Sequence, residues 1–121
     1  MLIRSRNNKI ILDMNKKYIA MGVIYSGNGG SFDGCGVICS GTEDFRSQYF
    51  EKIENLEVVD STVPDYWKVG YNGKDLILSF PEMVDDLGSL GNPGFYERYL
   101  EGDAECLAIM ERYYMMEESR L

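Results

Sequence analysis

The chain is expected to fold as a single α+β domain over residues 1–121, an antiparallel sheet with helices packed on its faces. Three observations predict it. The first forty residues read as short β-rich runs separated by turn residues, whereas helical periodicity gathers toward the C-terminal end. Asn72-Gly73 stands between two further β-rich runs, the strongest short hairpin signal a sequence offers. With 121 residues, 45% hydrophobic and 12% aromatic, the chain is long enough for one real core and too apolar for disorder.

The elements follow in order. Leu2-Ile3-Arg4-Ser5 alternates and predicts a short strand. Arg6-Asn7-Asn8 supplies a turn, because Asn tolerates positive φ. Lys9 to Met14 (KIILDM) is β-rich and predicts a second strand, closed by Asn15-Lys16-Lys17. Tyr18 to Tyr25 (YIAMGVIY) predicts a third, giving an antiparallel meander. Residues 26–36 (SGNGGSFDGCG) hold five glycines and predict a loop. Val37-Ile38-Cys39-Ser40 resumes a strand that Gly41 ends. Thr42 has the chemistry of an N-cap with Glu43 and Asp44 in the first turn, and Phe45, Tyr49 and Ile53 recur at i, i+4, i+8 beside Phe50. These predict a helix ending at Asn55.

Leu56 to Asp60 predicts a short strand, then Ser61 to Asp65 a loop. Tyr66 to Tyr71 and Lys74 to Phe80 are the arms of the hairpin, with a type I′ turn expected at Asn72-Gly73. Pro81 to Asp86 fits more than one element. Leu87 to Gly91 reads as a short strand and glycine turn. Asn92-Pro93 reads as an N-cap with proline at the first helical position, ahead of the apolar face Phe95, Tyr96, Tyr99, Leu100. Gly102 interrupts, and Asp103 caps a final helix from about Ala104 to Glu118. Its stripe of Leu107, Met110 and Tyr114, flanked by Cys106 and Tyr113, is widened by Met115 and Met116. So wide a stripe has room for a neighbouring helix or a second subunit besides the sheet.

Composition excludes more chemistry than any motif adds. There is no histidine, hence no Ser-His or Cys-His nucleophile pair and no His-bearing zinc site. Cys35, Cys39 and Cys106 are odd in number, and the C-x-x-x-C spacing lacks the second pair a zinc site needs. Reduced thiols in a cytoplasm are the expectation. No charged-then-apolar leader and no apolar stretch near ~18 residues is visible, so no membrane span is expected. The glycine-rich segment lacks the Gly-Lys-Ser/Thr of a phosphate loop, and read as G-x-G-x-x-G its last position is Phe32. Asp33, Gly34 and Asn28 fall short of a calcium loop. Asp85-Asp86 and Glu117-Glu118 are adjacent pairs whose side chains point about 100° apart on a helix. No cofactor and no metal is called for.

Charge is unevenly placed. The net −8 combines a basic first twenty residues (Arg4, Arg6, Lys9, Lys16, Lys17 against Asp13) with an acidic remainder. Between Glu82 and Glu118 ten acids face only Arg98 and Arg112. Such a chain repels nucleic-acid backbones and anionic membranes. It suits an acidic face for a basic protein partner, and it is also what solubility alone would select.

Three strings carry a family likeness: Gly36-Val37-Ile38-Cys39-Ser40-Gly41-Thr42-Glu43-Asp44-Phe45 running into Tyr49-Phe50; the hairpin Gly70 to Leu78; and Leu87-Gly88-Ser89-Leu90-Gly91, Phe95-Tyr96, then the Asp103-to-Tyr114 helix. With the order of elements, residues 36–118 resemble the proteasome-type branch of the N-terminal-nucleophile hydrolases. The resemblance implies a four-layer α/β/β/α sandwich and a tendency to self-assemble. It does not bring the chemistry. That family frees a Thr, Ser or Cys as its first residue, with its own α-amine as base, whereas this chain reads Met1-Leu2-Ile3. Ser5 would need cleavage after Arg4, and only Lys16 and Lys17 sit near the place of the family's basic residue.

The functional expectation is therefore a small, acidic, non-catalytic cytoplasmic protein that works through a protein interface. One version is an inhibitor or immunity-type protein covering a basic partner; another is a proteasome-like assembly subunit without activity, and a homo-oligomer is compatible with the wide apolar stripe of the last helix. The competing class is an N-terminal-nucleophile or cysteine-dependent hydrolase, with Cys39 at a helix start as its thiol. Candidate partner-binding residues are Asp85, Asp86, Glu97, Glu101 and Glu105, with Trp67 as an aromatic anchor.

Overall fold

The computed structural model describes residues 1–27, 34–41, 48–89 and 91–121. They form an α+β fold: one seven-stranded antiparallel sheet and three helices. The strands are β1 (Leu2–Ser5), β2 (Tyr18–Ser26), β3 (Gly34–Gly41), β4 (Gln48–Lys52), β5 (Leu56–Asp60), β6 (Lys68–Tyr71) and β7 (Asp75–Ser79). The helices are α1 (Pro81–Asp85), α2 (Phe95–Leu100) and α3 (Ala104–Glu118).

The sheet runs β4-β3-β2-β1-β5, and β7, carrying β6, also pairs with β2. The nine-residue β2 makes this possible. Its first residues, Tyr18 and Ile19, pair with β1, while Gly22 to Ser26 pair with β7 along the same edge. The handover falls at a bulge. Ala20 opposes Cys39 and Gly22 opposes Ile38, leaving Met21 as the extra residue. Such a residue leaves the ladder locally unpaired and bends the strand. Here the Met21 carbonyl accepts from Ser79 Oγ at 2.6 Å.

Each face of the sheet buries its own core. On one face Ile19, Met21, Ile38 and Phe80 meet the helices through Met83, Phe95, Tyr99, Cys106, Met110 and Tyr113. Phe80 is wholly buried; its ring stacks on Tyr113 at 4.4 Å and meets Phe95 edge-on at 5.5 Å. On the other face Ile3, Tyr18, Ala20, Val37, Cys39 and Leu56 close around Leu12, which comes from the β1–β2 connection. All three helices thus lie on one side of a single sheet. The second sheet and outer helical layer of a four-layer sandwich are not among the described residues.

Several expectations need correction. Lys9 to Met14 is no strand but a series of turns and bends. Both edges of β1 are already taken, by β2 and β5, so that run has no ladder to join. It is held by local bonds instead: Asn7 Oδ1 accepts from Lys9 N, Asp13 Oδ1 from Asn15 N, and the Tyr18 hydroxyl from Asp13 N. The helix expected from Thr42 to Asn55 is replaced at its second half by β4 and a single 3-10 turn, Ile53–Asn55; residues 42–47 lie outside the described residues, as do 28–33 of the glycine-rich segment and Leu90. The α2 cap is Gly94 rather than Asn92. The hairpin turn sits one residue later than expected, at Gly73-Lys74, and is not type I′, because no described non-glycine residue has positive φ. Asn72 N–H donates to the Asp75 carbonyl, so the two form the closing pair. Gly73, at φ 94°, is the first loop residue, the signature of type II′.

Other elements match their sequence signals. β1, the body of β2, β5, both hairpin arms and α3 stand where patterning puts them, and Asp103 caps α3 by accepting from Cys106 N.

Candidate functional site

A cavity of about 280 Å³ opens between the helical face of the sheet and the connection from α1 to α2. Its floor is apolar: Ile24 of β2, Ile38 of β3 and Ile77 of β7. Ile24 and Ile77 are direct cross-strand partners, which puts both on the helix side. Met83, Leu87 and Tyr96 make the walls.

The ionisable side chains at this cavity are carboxylic acids and one phenol, Tyr96, beside the neutral amide of Asn72. Asp75 begins β7 and is buried; its carboxylate accepts from the buried Ser26 hydroxyl across the β2–β7 pair. The backbone N–H of Asp75 and that of Lys74 both donate to Asn72 Oδ1, at 2.7 and 2.9 Å. The turn thus fixes the first residue of the strand. Asp86 and Glu97 contribute from the helical side. Among the described residues no lysine or arginine lines the space.

The roof is held rigidly by two glycines. Gly88 has φ 81°, a region that favours glycine. A Cβ on Gly94 would lie 2.6 Å from the Leu87 carbonyl carbon and 2.7 Å from Gly88 N, so the two backbone segments touch without side chains between them. Phe95 N–H donates to the Asp86 carbonyl at 2.8 Å, and Ser89 and Asn92 exchange two backbone bonds of 2.9 Å.

The expected partner-binding residues fall into two sets. Asp85 and Asp86 are paired within the chain, Asp85 with Lys68 Nζ at 2.6 Å and Asp86 with Arg98. Glu97, Glu101 and Glu105 are exposed and make no side-chain hydrogen bond or ion pair with a described residue. Trp67 stands apart from them. It is half-buried and packs against both cores, so much of its ring is structural. Asp75 and Asn72 were missed as site residues; only their place beside the hairpin turn hinted at them.

Nucleophilic chemistry finds poor ground. Cys39 is completely buried under the β1–β2 connection, and burial, with Glu51 adding to it, pushes its thiol up to about 12. Burial also raises the Cys35 and Cys106 thiols. A thiol acts as nucleophile only as thiolate. Ser5 lies within β1, buried, its hydroxyl donating to the Asn7 carbonyl. Burial pushes the Tyr96 phenol up to about 12, so it stays a neutral donor at the cavity wall. Among the described residues no group of three or more His, Cys, Asp or Glu is placed to hold a metal ion, and no helix is long and apolar enough to cross a membrane.

Comparison with known protein families, curated proteins and solved structures gives no match to this chain.

Proposed function

We propose that this is a non-catalytic protein that acts by covering a basic protein partner with its helical face, in the manner of an inhibitor or immunity-type protein. The observation that carries the reading is the set of acids on that face. Among the described residues Glu97, Glu101 and Glu105 have no cationic partner, although exposed lysines and arginines are present elsewhere in the chain. Carboxylates left without internal partners are available to an external one, and a concentrated field of one sign accelerates encounter with the opposite sign. The buried, high-pKa Cys39 argues against the thiol hydrolase alternative.

The test is affinity capture from the native host with the full chain, followed by reconstitution with the purified partner. The expected result is a basic protein bound at low salt and released as ionic strength approaches ~1 M, where the screening length is about 3 Å. Failure of any basic protein to bind directly at low salt overturns the proposal. So does turnover of a peptide or amide by the purified chain that disappears in Cys39→Ala.

A further inference from the structure

We infer that the bare side of the sheet is a docking surface for a second copy of this chain, which lays its α2–α3 face there so that copies join head to tail. The inference goes beyond the reading above and rests on it in taking the helical face as a docking surface.

The sheet is covered by helices on one side only. Strand alternation turns Ile24 and Ile77 toward the helices, so Val23, Tyr25, Leu76 and Leu78 point the other way, with Val69 and Tyr71 of β6 beside them. Two cross-strand rows result, Tyr25-Leu76-Tyr71 and Val23-Leu78-Val69, and neither holds a charge. The β1–β2 connection covers the same side farther back along β2, where Leu12 packs with Tyr18 and Ala20. It leaves these rows bare: Tyr71 is 65% exposed, Val69 63% and Tyr25 54%. An apolar sheet face is stable when buried against another element, and a contiguous exposed patch marks an interaction surface. A tyrosine buries roughly 150–250 Å², so the exposed parts of Tyr25 and Tyr71 alone offer on the order of 200 Å². That is about a quarter of the ~800 Å² each partner gives to a standard interface.

Charge commits the occupant. On the sheet side Arg6, Lys9, Lys16 and Lys17 are exposed and have no carboxylate partner among the described residues. On the opposite side α2 and α3 expose Leu100 and Met115 among Glu97, Glu101 and Glu105, which have no cationic partner among the described residues. Each surface thus holds an apolar centre and the charge that the other lacks. A twofold dimer through either surface would set like charges against like. Joining one surface to the other sets opposite charges together, and such a contact is heterologous, so growth continues past two copies into a ring or a filament. The net charge of −8 opposes approach at long range. At ~0.15 M salt, charges more than about 8 Å apart are largely screened, which leaves the facing surfaces to decide.

The experiment is light scattering on the full chain across a concentration series at ~0.15 M salt, with two double variants. Tyr25→Gln with Val69→Gln spoils the sheet side, and Leu100→Gln with Glu101→Gln spoils the helical side. All four positions are exposed, and a thermal melt of each variant checks that it folds. The wild type is expected to grow past the dimer as concentration rises. Either variant alone should need about tenfold more protein to associate. At a concentration where each alone is monomeric, an equimolar mixture should form a 1:1 dimer and nothing larger, because one intact pair of surfaces remains between the two chains.

A wild type that is monomeric throughout, or that forms a dimer and grows no further, overturns the proposal, as does a mixture that stays monomeric. Titration with an oligo-arginine peptide then separates the two failures. If the peptide binds in a salt-dependent way and Glu101→Gln weakens it, self-association is wrong and the acidic-face reading stands. If the peptide does not bind, that reading falls too.

Discussion

At the scale of single residues, the most consequential contact is one that a methyl group would forbid. Gly94 has an ordinary negative φ, so alanine there meets no backbone penalty. What it meets is the Leu87 carbonyl carbon at 2.6 Å and Gly88 N at 2.7 Å. Backbone cannot step aside as a flexible side chain can, and overpacking of this kind costs about 3 kcal/mol. Gly91 is the contrast: its φ is 82° with open space around it. Asparagine visits the left-handed region readily, so Gly91→Asn should cost under ~1 kcal/mol. Urea denaturation of both variants measures the difference. A Gly94→Ala midpoint no lower than that of Gly91→Asn would show that the crossing is not tight. None of this was legible in the sequence, where Gly88, Gly91 and Gly94 look alike. Which one needs positive φ and which needs bare backbone is decided by the partner segment.

At the scale of elements, patterning succeeded where a segment's neighbours were local and failed where they were distant. Helix α3 was readable because its apolar stripe lies within it and its cap, Asp103, and the break at Gly102 directly precede it. The β6–β7 hairpin was readable because its turn lies between its arms. Lys9 to Met14 has strand composition, but β1 already has two neighbours, and no local feature announces that. Tyr49 and Ile53 share helical spacing by accident. In β4 Tyr49 pairs with Cys39 and Phe50 with Ile38, so successive residues serve opposite faces, and short apolar runs do not distinguish the two periods. The α3 cap also makes a prediction. Asp103 accepts from Cys106 N at 3.0 Å, and that backbone bond lowers its pKa. A depressed folded-state pKa means the contribution is complete above the ordinary aspartate range, near ~4, and is lost as pH falls through the lower folded value. Asp103→Asn keeps a capping oxygen but not the charge. Its melting temperature should lie below wild type at pH 7, and the two curves should converge on acidification. A gap that persists unchanged at low pH would mean that the charge is not what the cap contributes.

At the scale of the whole molecule, charge is segregated across the sheet. The acidic helices cover one face. The other carries the β1–β2 connection, where Arg6, Lys9, Lys16 and Lys17 are exposed. Among the described residues Arg4 alone of the early basic residues is ion-paired with the acidic remainder, through Glu57 at 3.0 Å. On the helical face Asp85, Asp86, Glu82 and Glu117 are ion-paired, whereas Glu97, Glu101 and Glu105 have no cationic partner among the described residues. Glu97 and Glu101 are spaced i, i+4, an arrangement that destabilises by about 0.2–0.5 kcal/mol per like pair, and Glu105 follows after the break at Gly102. Glu97 and Glu105 stand in the first turns of α2 and α3, where a carboxylate favours the helix. Glu101 closes α2 at its C-terminal end, where a carboxylate does not. If Glu101 served the fold, removing it would weaken the protein. The opposite is expected: Glu101→Gln should stabilise the protein by about 0.5 kcal/mol at low salt, raising the melting temperature by about 2 °C. The gain should shrink as salt screens the repulsion, because the screening length falls from about 30 Å at 0.01 M to about 3 Å at 1 M. The same variant should weaken the salt-sensitive association with a basic partner. Stability gained together with binding weakened is the signature of a residue kept for function at a cost to the fold. Differential scanning calorimetry across a salt series, beside a binding isotherm for the same material, reads both halves. A Glu101→Gln variant that melts lower than wild type at low salt would assign this glutamate to the architecture, and the acidic face would then need another explanation.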